Sequence, residues 1–194
     1  MSGIVLTSRF EEALVYATRL HRQQWRKVVP TPYVGHLLAV SALVLEDGGD
    51  EDEAIAALLH DAIEDQGASR DVLLRRFGAR VAEIVEGCTE PDLQPQEPWR
   101  QHKWRYLTKI GRGSVAVHRV ALADKLHNGR SLLHHLQQRG SEVWQCFRAT
   151  PEDLLWFYDT QLALFEGVHP GWMVRELGTI VELTKQLMGE CFIN

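Results

Sequence analysis

The run Leu58-Leu59-His60-Asp61-Ala62-Ile63-Glu64-Asp65 crowds three carboxylates and one imidazole around a single helical turn. Glu64 follows His60 by four residues and Asp65 follows Asp61 by four, the spacing that sets side chains one turn apart on neighbouring faces. The residues just before, Ala54-Ile55-Ala56-Ala57-Leu58-Leu59, are apolar all round, the pattern of a buried helix. A carboxylate left unpaired at the end of such a helix is costly, and the helix dipole adds to the cost. A cation should compensate, and a divalent metal does so most directly. A solvated helix end closed by a capping histidine is the alternative, and these residues alone leave both open.

A second anomaly lies downstream. The apolar stripe Val117, Val120, Ala121 continues by helical steps onto Asp124, then onto His127 and Asn128. Asp124 therefore projects to the core where a leucine is expected, either as a ligand or as half of a salt bridge to a buried basic residue. His36 heads the stripe Val40, Leu43, Val44, as a ligand or as a satisfied core histidine. Taken together, three helices each direct a ligand-capable group inward. The set His36, His60, Asp61 and Asp124 offers two imidazoles and two carboxylates, an N/O set that suits Mn, Fe or Zn better than Ca or Mg. Such a site leaves positions for water and substrate. The pair His134-His135 lacks carboxylate support, and Gly111-Arg112-Gly113 lacks a phosphate-loop lysine and reads as a turn.

The elements that must carry these groups are helical almost throughout. The periodicity predicts helices over about 10–20, capped by Ser8, then 33–46, 51–65, a short one capped by Ser69 and ending near 77, and another to about 88. Pro91, Pro95 and Pro98 mark a loop, after which helices cover about 99–110, 114–138, 141–148, 151–168 and 172–189, with Thr150-Pro151-Glu152-Asp153 as a cap. No convincing strand or repeat is present. The expected fold is all-α in one domain over 1–194, with a motif-bearing core at about 10–132 and C-terminal helices at about 141–190. The aromatic stripe Trp156, Phe157, Phe165 reads as core rather than as a base-stacking platform.

Composition narrows the function classes. The 194 residues are 45% hydrophobic and 24% charged, which excludes disorder, and a net charge of −5 argues against a nucleic-acid partner. Cys88, Cys146 and Cys191 are too scattered for a disulfide framework or a CxxC metal site, so a reducing compartment is expected. The sequence contains neither a membrane-length apolar run nor a signal-peptide core, and the expectation is a cytoplasmic protein with no membrane partner. Oligomeric state is not legible.

The segments ATRLHRQQWRK (17–27), TPYVGH (31–36), AALLHDAIED (56–65), RFGARVAEIVEGCTE (76–90) and ALADKLHNGRSL (121–132) resemble the HD-domain phosphohydrolases. More narrowly, they are similar to the hydrolase domain of the RelA/SpoT enzymes and to the single-domain metazoan SpoT homologues. The resemblance implies a helical HD-domain fold. It also implies one divalent ion, Mn(II) in that family, held by His36, His60, Asp61 and Asp124. Glu64 and Asp65 match the acidic pair implicated in activating and orienting the attacking water. Arg26 and Lys27 match a basic pair over the nucleotide, and Asn128 an asparagine facing it. The implied activity is removal of the 3′-pyrophosphate from guanosine tetra- and pentaphosphate, small-molecule nucleotides. Val28, Leu37, Gln66, Lys125 and Gly129 depart from the pattern; Val28 and Gly129 are expected near the nucleotide and bear on base recognition. Other readings are hydrolysis of a different nucleotide or a phosphomonoester, and a non-catalytic alarmone sensor.

The chemistry needs a water made acidic by the metal, a carboxylate to take its proton, with Glu64 the first choice and Asp65 the second, and fixed cations for the phosphoryl charge. Arg26 and Lys27 are candidates for the last role. The basic stretch Arg100-Gln101-His102-Lys103-Trp104-Arg105 is another, with Lys103 the best placed, or else the exposed face of an amphipathic helix.

Overall fold

The computed structural model describes residues 4–191. The described chain is all-α: α1 Ser8–Leu20, α2 Val34–Glu46, α3 Glu51–Leu59, α4 Ala62–Gln66, α5 Arg70–Phe77, α6 Ala79–Cys88, α7 Trp99–Gly111, α8 Val115–Arg139, a 3₁₀ helix Gly140–Cys146, α9 Pro151–Val168 and α10 Trp172–Cys191. Short polar side chains set the starts. Asp50 and Glu53 form a reciprocal capping box on α3, while Ser69, Ser114 and Thr150 accept from the first turns of α5, α8 and α9. The cap of α1 is Thr7, one residue before the expected Ser8.

α3 forms the centre. Ala54 to Leu59 are fully buried, and the helix packs against α1, α2, α6 and α8. The long α8 runs alongside and carries α2, α6 and α10 on its flanks. One apolar cluster reaches from Ala13 to Val181, and a smaller one gathers Leu132, Leu136 and Val143. No helix among the described residues is long and apolar enough to cross a membrane.

Two helix expectations are corrected. The helix expected over 51–65 breaks at His60-Asp61: His60 keeps helical angles, but Asp61 turns to φ −96°, ψ 4° and its carbonyl opens α4 by accepting from Asp65 N at 2.9 Å. Successive side chains on a continuous helix diverge by roughly 100°. The break lets adjacent residues aim at one point. Gly67 then ends α4 in the left-handed region at φ 65°, which glycine enters without strain. The second correction concerns 141–148, where the expected helix is a 3₁₀ segment.

Residues 24–33 form a tight hairpin-like loop between α1 and α2. Trp25 bridges Pro32, Arg26 N donates to Thr31 O at 3.0 Å and Tyr33 N to Gln24 O at 3.0 Å. It fixes the backbone of Arg26 and Lys27 beside the start of α2.

Candidate metal centre and substrate cleft

The α3–α4 break, α2 and α8 bring His36, His60 and Asp124 together, and Asp61 joins them through its contacts with the two imidazoles rather than with Asp124. His60 Nε2 lies 2.9 Å from Asp61 Oδ2 and 3.7 Å from Asp124 Oδ1. His36 Nε2 lies 3.2 Å from Asp124 Oδ1 and 3.8 Å from Asp61 Oδ2. His36, His60 and Asp124 each present a ligand atom within 4.8 Å of the others, and all three are buried.

The donor chemistry fits a divalent cation. Both Nε2 atoms are buried and make no well-directed hydrogen bond, although carboxylate oxygens lie close by. Lone pairs that converge without pairing are the arrangement an ion satisfies. The field agrees. Burial disfavours a charge on His60, yet Asp61 and Asp124 overcome it and raise its pKa well above the usual value. Burial lowers the pKa of His36. Asp61 is held down to about 2, and Asp124 well below the carboxylate range, because neighbouring cations and imidazoles outweigh the burial that opposes their charge.

A second layer orients these groups. The His60 Nδ1 position faces Ala57 O at 2.8 Å, so Nδ1–H donates to it and leaves Nε2 free to coordinate. His36 Nδ1 meets His127 Nδ1 at 2.7 Å; a proton on His36 Nδ1 leaves its Nε2 lone pair facing Asp124. Burial, then His36 and Arg26, push His127 down to about 4, which keeps it neutral and able to accept. Tyr33 Oη donates to Asp61 Oδ2 at 2.6 Å. Asn128 Nδ2 donates to Asp124 Oδ1 at 2.5 Å while its Oδ1 accepts from Arg26 Nη2 at 2.9 Å. Lys125 Nζ donates to Asp124 Oδ2 at 2.7 Å, so the salt bridge weighed as an alternative for Asp124 exists alongside the cluster.

The cluster forms one side of a cleft of about 630 Å³ that also receives Arg26, Lys27, Glu64, Asp65, Lys103 and Asn128. Every sequence-predicted site residue except His36 lines this cleft; His36 reaches the cluster from behind, through a second recess it shares with His127. Glu64 Oε2 accepts from Glu90 N at 3.0 Å, leaving Oε1 free. Burial in the cleft walls, then the Glu90 charge, raise the Glu64 pKa. Asp65 is raised by burial and by Asp61, and its Oδ2 accepts from Gln24 Nε2 at 2.6 Å. Lys103 is paired with Glu90, whereas Arg100 and Arg105 bond to Asp153 and Glu97 away from the ion cluster. Within the basic stretch, Lys103 alone lines the cleft.

Sequence reasoning gave no role to Tyr33, Gln24 or Glu90. All three lie inside matched segments, but their placement in the site rests on contacts across the fold. Gly129 does not itself line the cleft: it faces α10, where an added Cβ would stand 3.2 Å from Ile180 Cγ2 and 3.6 Å from Tyr158 Cε1, a residue that does line it. A glycine there permits close approach of α8 and α10. Val28 does line the cleft, Leu37 is core, and Gln66 Nε2 donates to Gln24 Oε1 at 2.6 Å. Of the aromatic stripe, Phe165 and Phe157 belong to the main core and Trp156 packs half-buried against it, while Phe157 also borders the cleft beside Trp99.

A helical fold with a paired His-Asp step, a distant histidine and a distant aspartate defines an HD domain. The HD-domain family profile matches residues 13–154, and the chain belongs to that family. It is 36% identical over 124 residues to guanosine-3′,5′-bis(diphosphate) 3′-pyrophosphohydrolase MESH1 of Homo sapiens, covering 62% of this chain and 68% of the relative. Over 124 residues it is 37% identical to the GTP pyrophosphokinase rsh of Brucella melitensis, a match spanning 62% of this chain but 16% of that protein. A solved structure of a metazoan orthologue of SpoT, described as hydrolysing ppGpp, superposes with a TM-score of 0.76 at 28% identity, over 93% of this chain and 97% of that one.

Proposed function

We propose that this chain is a metal-dependent phosphohydrolase that removes the 3′-pyrophosphate of guanosine 3′,5′-bis(diphosphate). The observation that carries the reading is the convergence of His36, His60 and Asp124, with Asp61 against both imidazoles, beside Glu64 and Asp65 in one cleft edged by cations. The activity of the MESH1 relatives and of the structural neighbour supports the same substrate.

His36, His60, Asp61 and Asp124 would hold the ion, taken here as Mn(II) on the N/O donor set and the family resemblance, with Fe or Zn as the other candidates. When bound, the ion supplies acidity to water and charge to the phosphoryl oxygens. Glu64 takes the proton of the attacking water at Oε1; its raised pKa brings it nearer to neutral pH, where a general base works best. Asp65, steadied by Gln24, orients that water. Water adds to the phosphorus on the 3′-oxygen, the bond to that oxygen breaks, and the products are guanosine 5′-diphosphate and pyrophosphate. Arg26 faces the nucleoside, with its guanidinium already fixed by Asn128 and by the Tyr33 ring 5.7 Å away. Lys27 and Lys103 meet phosphate oxygens as point charges. The free thiols Cys88 and Cys146 suit a reducing compartment, taken to be the cytoplasm.

The test offers manganese-loaded protein guanosine 3′,5′-bis(diphosphate), guanosine 5′-triphosphate, a dinucleoside polyphosphate and a nucleoside monophosphate panel. Pyrophosphate and guanosine 5′-diphosphate from the first alone support the reading. Turnover confined to the others rejects the substrate, and tight binding without turnover, indifferent to Glu64→Ala, makes the protein a sensor.

A further inference from the structure

The cations of the cleft are not equally available. Arg26, Lys27, Lys103, Lys125 and Arg148 all line it. Arg26 is bonded to Asn128, Lys103 to Glu90 and Lys125 to Asp124. Lys27 and Arg148 are exposed and have no hydrogen-bond or ion-pair partner on their side chains among the described residues. Their separation along the chain is large, but the packing ties them together. Val28, next to Lys27, and Phe147, next to Arg148, both pack on the small cluster of Leu132, Leu136 and Val143. Arg139 Nη1 also reaches Val28 O at 3.5 Å, which ties the loop to the end of α8. The cleft thus combines the enclosed cluster of His60, Asp61 and Asp124 with two exposed cations that have no partner among the described residues.

We propose that Arg148, together with Lys27, binds a phosphate group of the substrate that is not hydrolysed. The inference rests on the proposed function, in which the hydrolysed 3′-pyrophosphate lies at the ion cluster; the phosphate left for the exposed cations is then the 5′-diphosphate. A guanidinium with all its donors free grips phosphate oxygens in a bidentate fork, and a lysine beside it adds charge without demanding geometry. A nucleotide entering the cleft displaces water from both, which strengthens the contact relative to a solvated surface pair. Arg148 is therefore a specificity determinant: it makes the protein favour nucleotides phosphorylated at two separate positions over those carrying the 3′ group alone.

The test compares guanosine 3′,5′-bis(diphosphate) with guanosine 3′-diphosphate, using wild type, Arg148→Gln and Arg148→Lys loaded with manganese. The readout is the ratio of kcat/KM for the two nucleotides. Arg148→Gln is expected to shrink that ratio about tenfold, a rise in KM for the bis(diphosphate) carrying the change, and Arg148→Lys to restore part of it. A ratio within about twofold of wild type in Arg148→Gln overturns the inference and leaves the proposed function standing. Where wild type turns over neither nucleotide, the proposed function fails, and the ratio of dissociation constants for the same two nucleotides is read instead. The same tenfold loss upholds the binding role, whereas equal ratios, or no binding of either nucleotide by wild type, overturn it.

Discussion

Replacing Tyr33 by phenylalanine removes one oxygen and should weaken manganese binding about 10- to 100-fold. The hydroxyl donates to Asp61 Oδ2 at 2.6 Å, the carboxylate oxygen that faces His60 and His36. Burial and the charge of Asp61 push the Tyr33 pKa up, so the group stays an O–H donor across the working range of pH. A hydrogen bond to a charged acceptor contributes roughly 1.5–3 kcal/mol. At about 1.4 kcal/mol for each factor of ten, the affinity falls by one to two decades. The ring itself remains stacked on His21 at 5.5 Å and under the Arg26 guanidinium, so the loop should keep its shape. Titration calorimetry of manganese into the ion-free protein measures the effect, and raising manganese should recover activity. An affinity that stays within about twofold, or tightens, refutes the reasoning: the hydroxyl would then not be orienting Asp61 for an ion.

Other changes test separate parts of the structure. Glu64→Gln should lower kcat by about 10²- to 10⁴-fold with manganese affinity retained, as calorimetry beside steady-state kinetics would show; matching losses in affinity would make Glu64 a ligand instead. Gly129→Leu should cost about 1–3 kcal/mol from the clash with Ile180, read as a lower denaturation midpoint, while the KM for nucleotide stays put. A raised KM with unchanged stability would return Gly129 to the nucleotide. His118 is buried and neutral, with Nε2 facing Ile110 O at 3.0 Å, and burial lowers its pKa from 6.5. Because the unfolded chain binds this proton more readily, its contribution is full above pH 6.5 and is lost as pH falls below it. His118→Gln should flatten the fall in stability below about pH 6.5, measured by urea unfolding; parallel slopes for the two proteins would exclude this role.

The local features were legible because they are written in neighbouring residues. Helical periodicity marks the apolar face of α8 and shows Asp124 interrupting it. The buried run of α3 makes His60-Asp61 conspicuous, and the caps at Ser69 and Thr150 follow from short polar side chains ahead of apolar turns. The matched segments carry the acidic pair and the Arg-Lys pair. Other features come from contacts between distant parts of the chain. The break at His60-Asp61 is invisible to periodicity, since the pattern continues through it; it shows only in the backbone, where Asp61 leaves the helical region. Tyr33, Gln24, His127 and Glu90 meet partners on other elements, and the role proposed for Arg148 depends on a loop that packs, like Val28, on the small cluster of Leu132, Leu136 and Val143. Sequence spacing alone determined which polar groups interrupt an apolar face, because side-chain direction along a helix is periodic. Only the tertiary structure decided which groups from α2, α3 and α8 meet within bonding reach, because that depends on how the helices pack and no single helix encodes it.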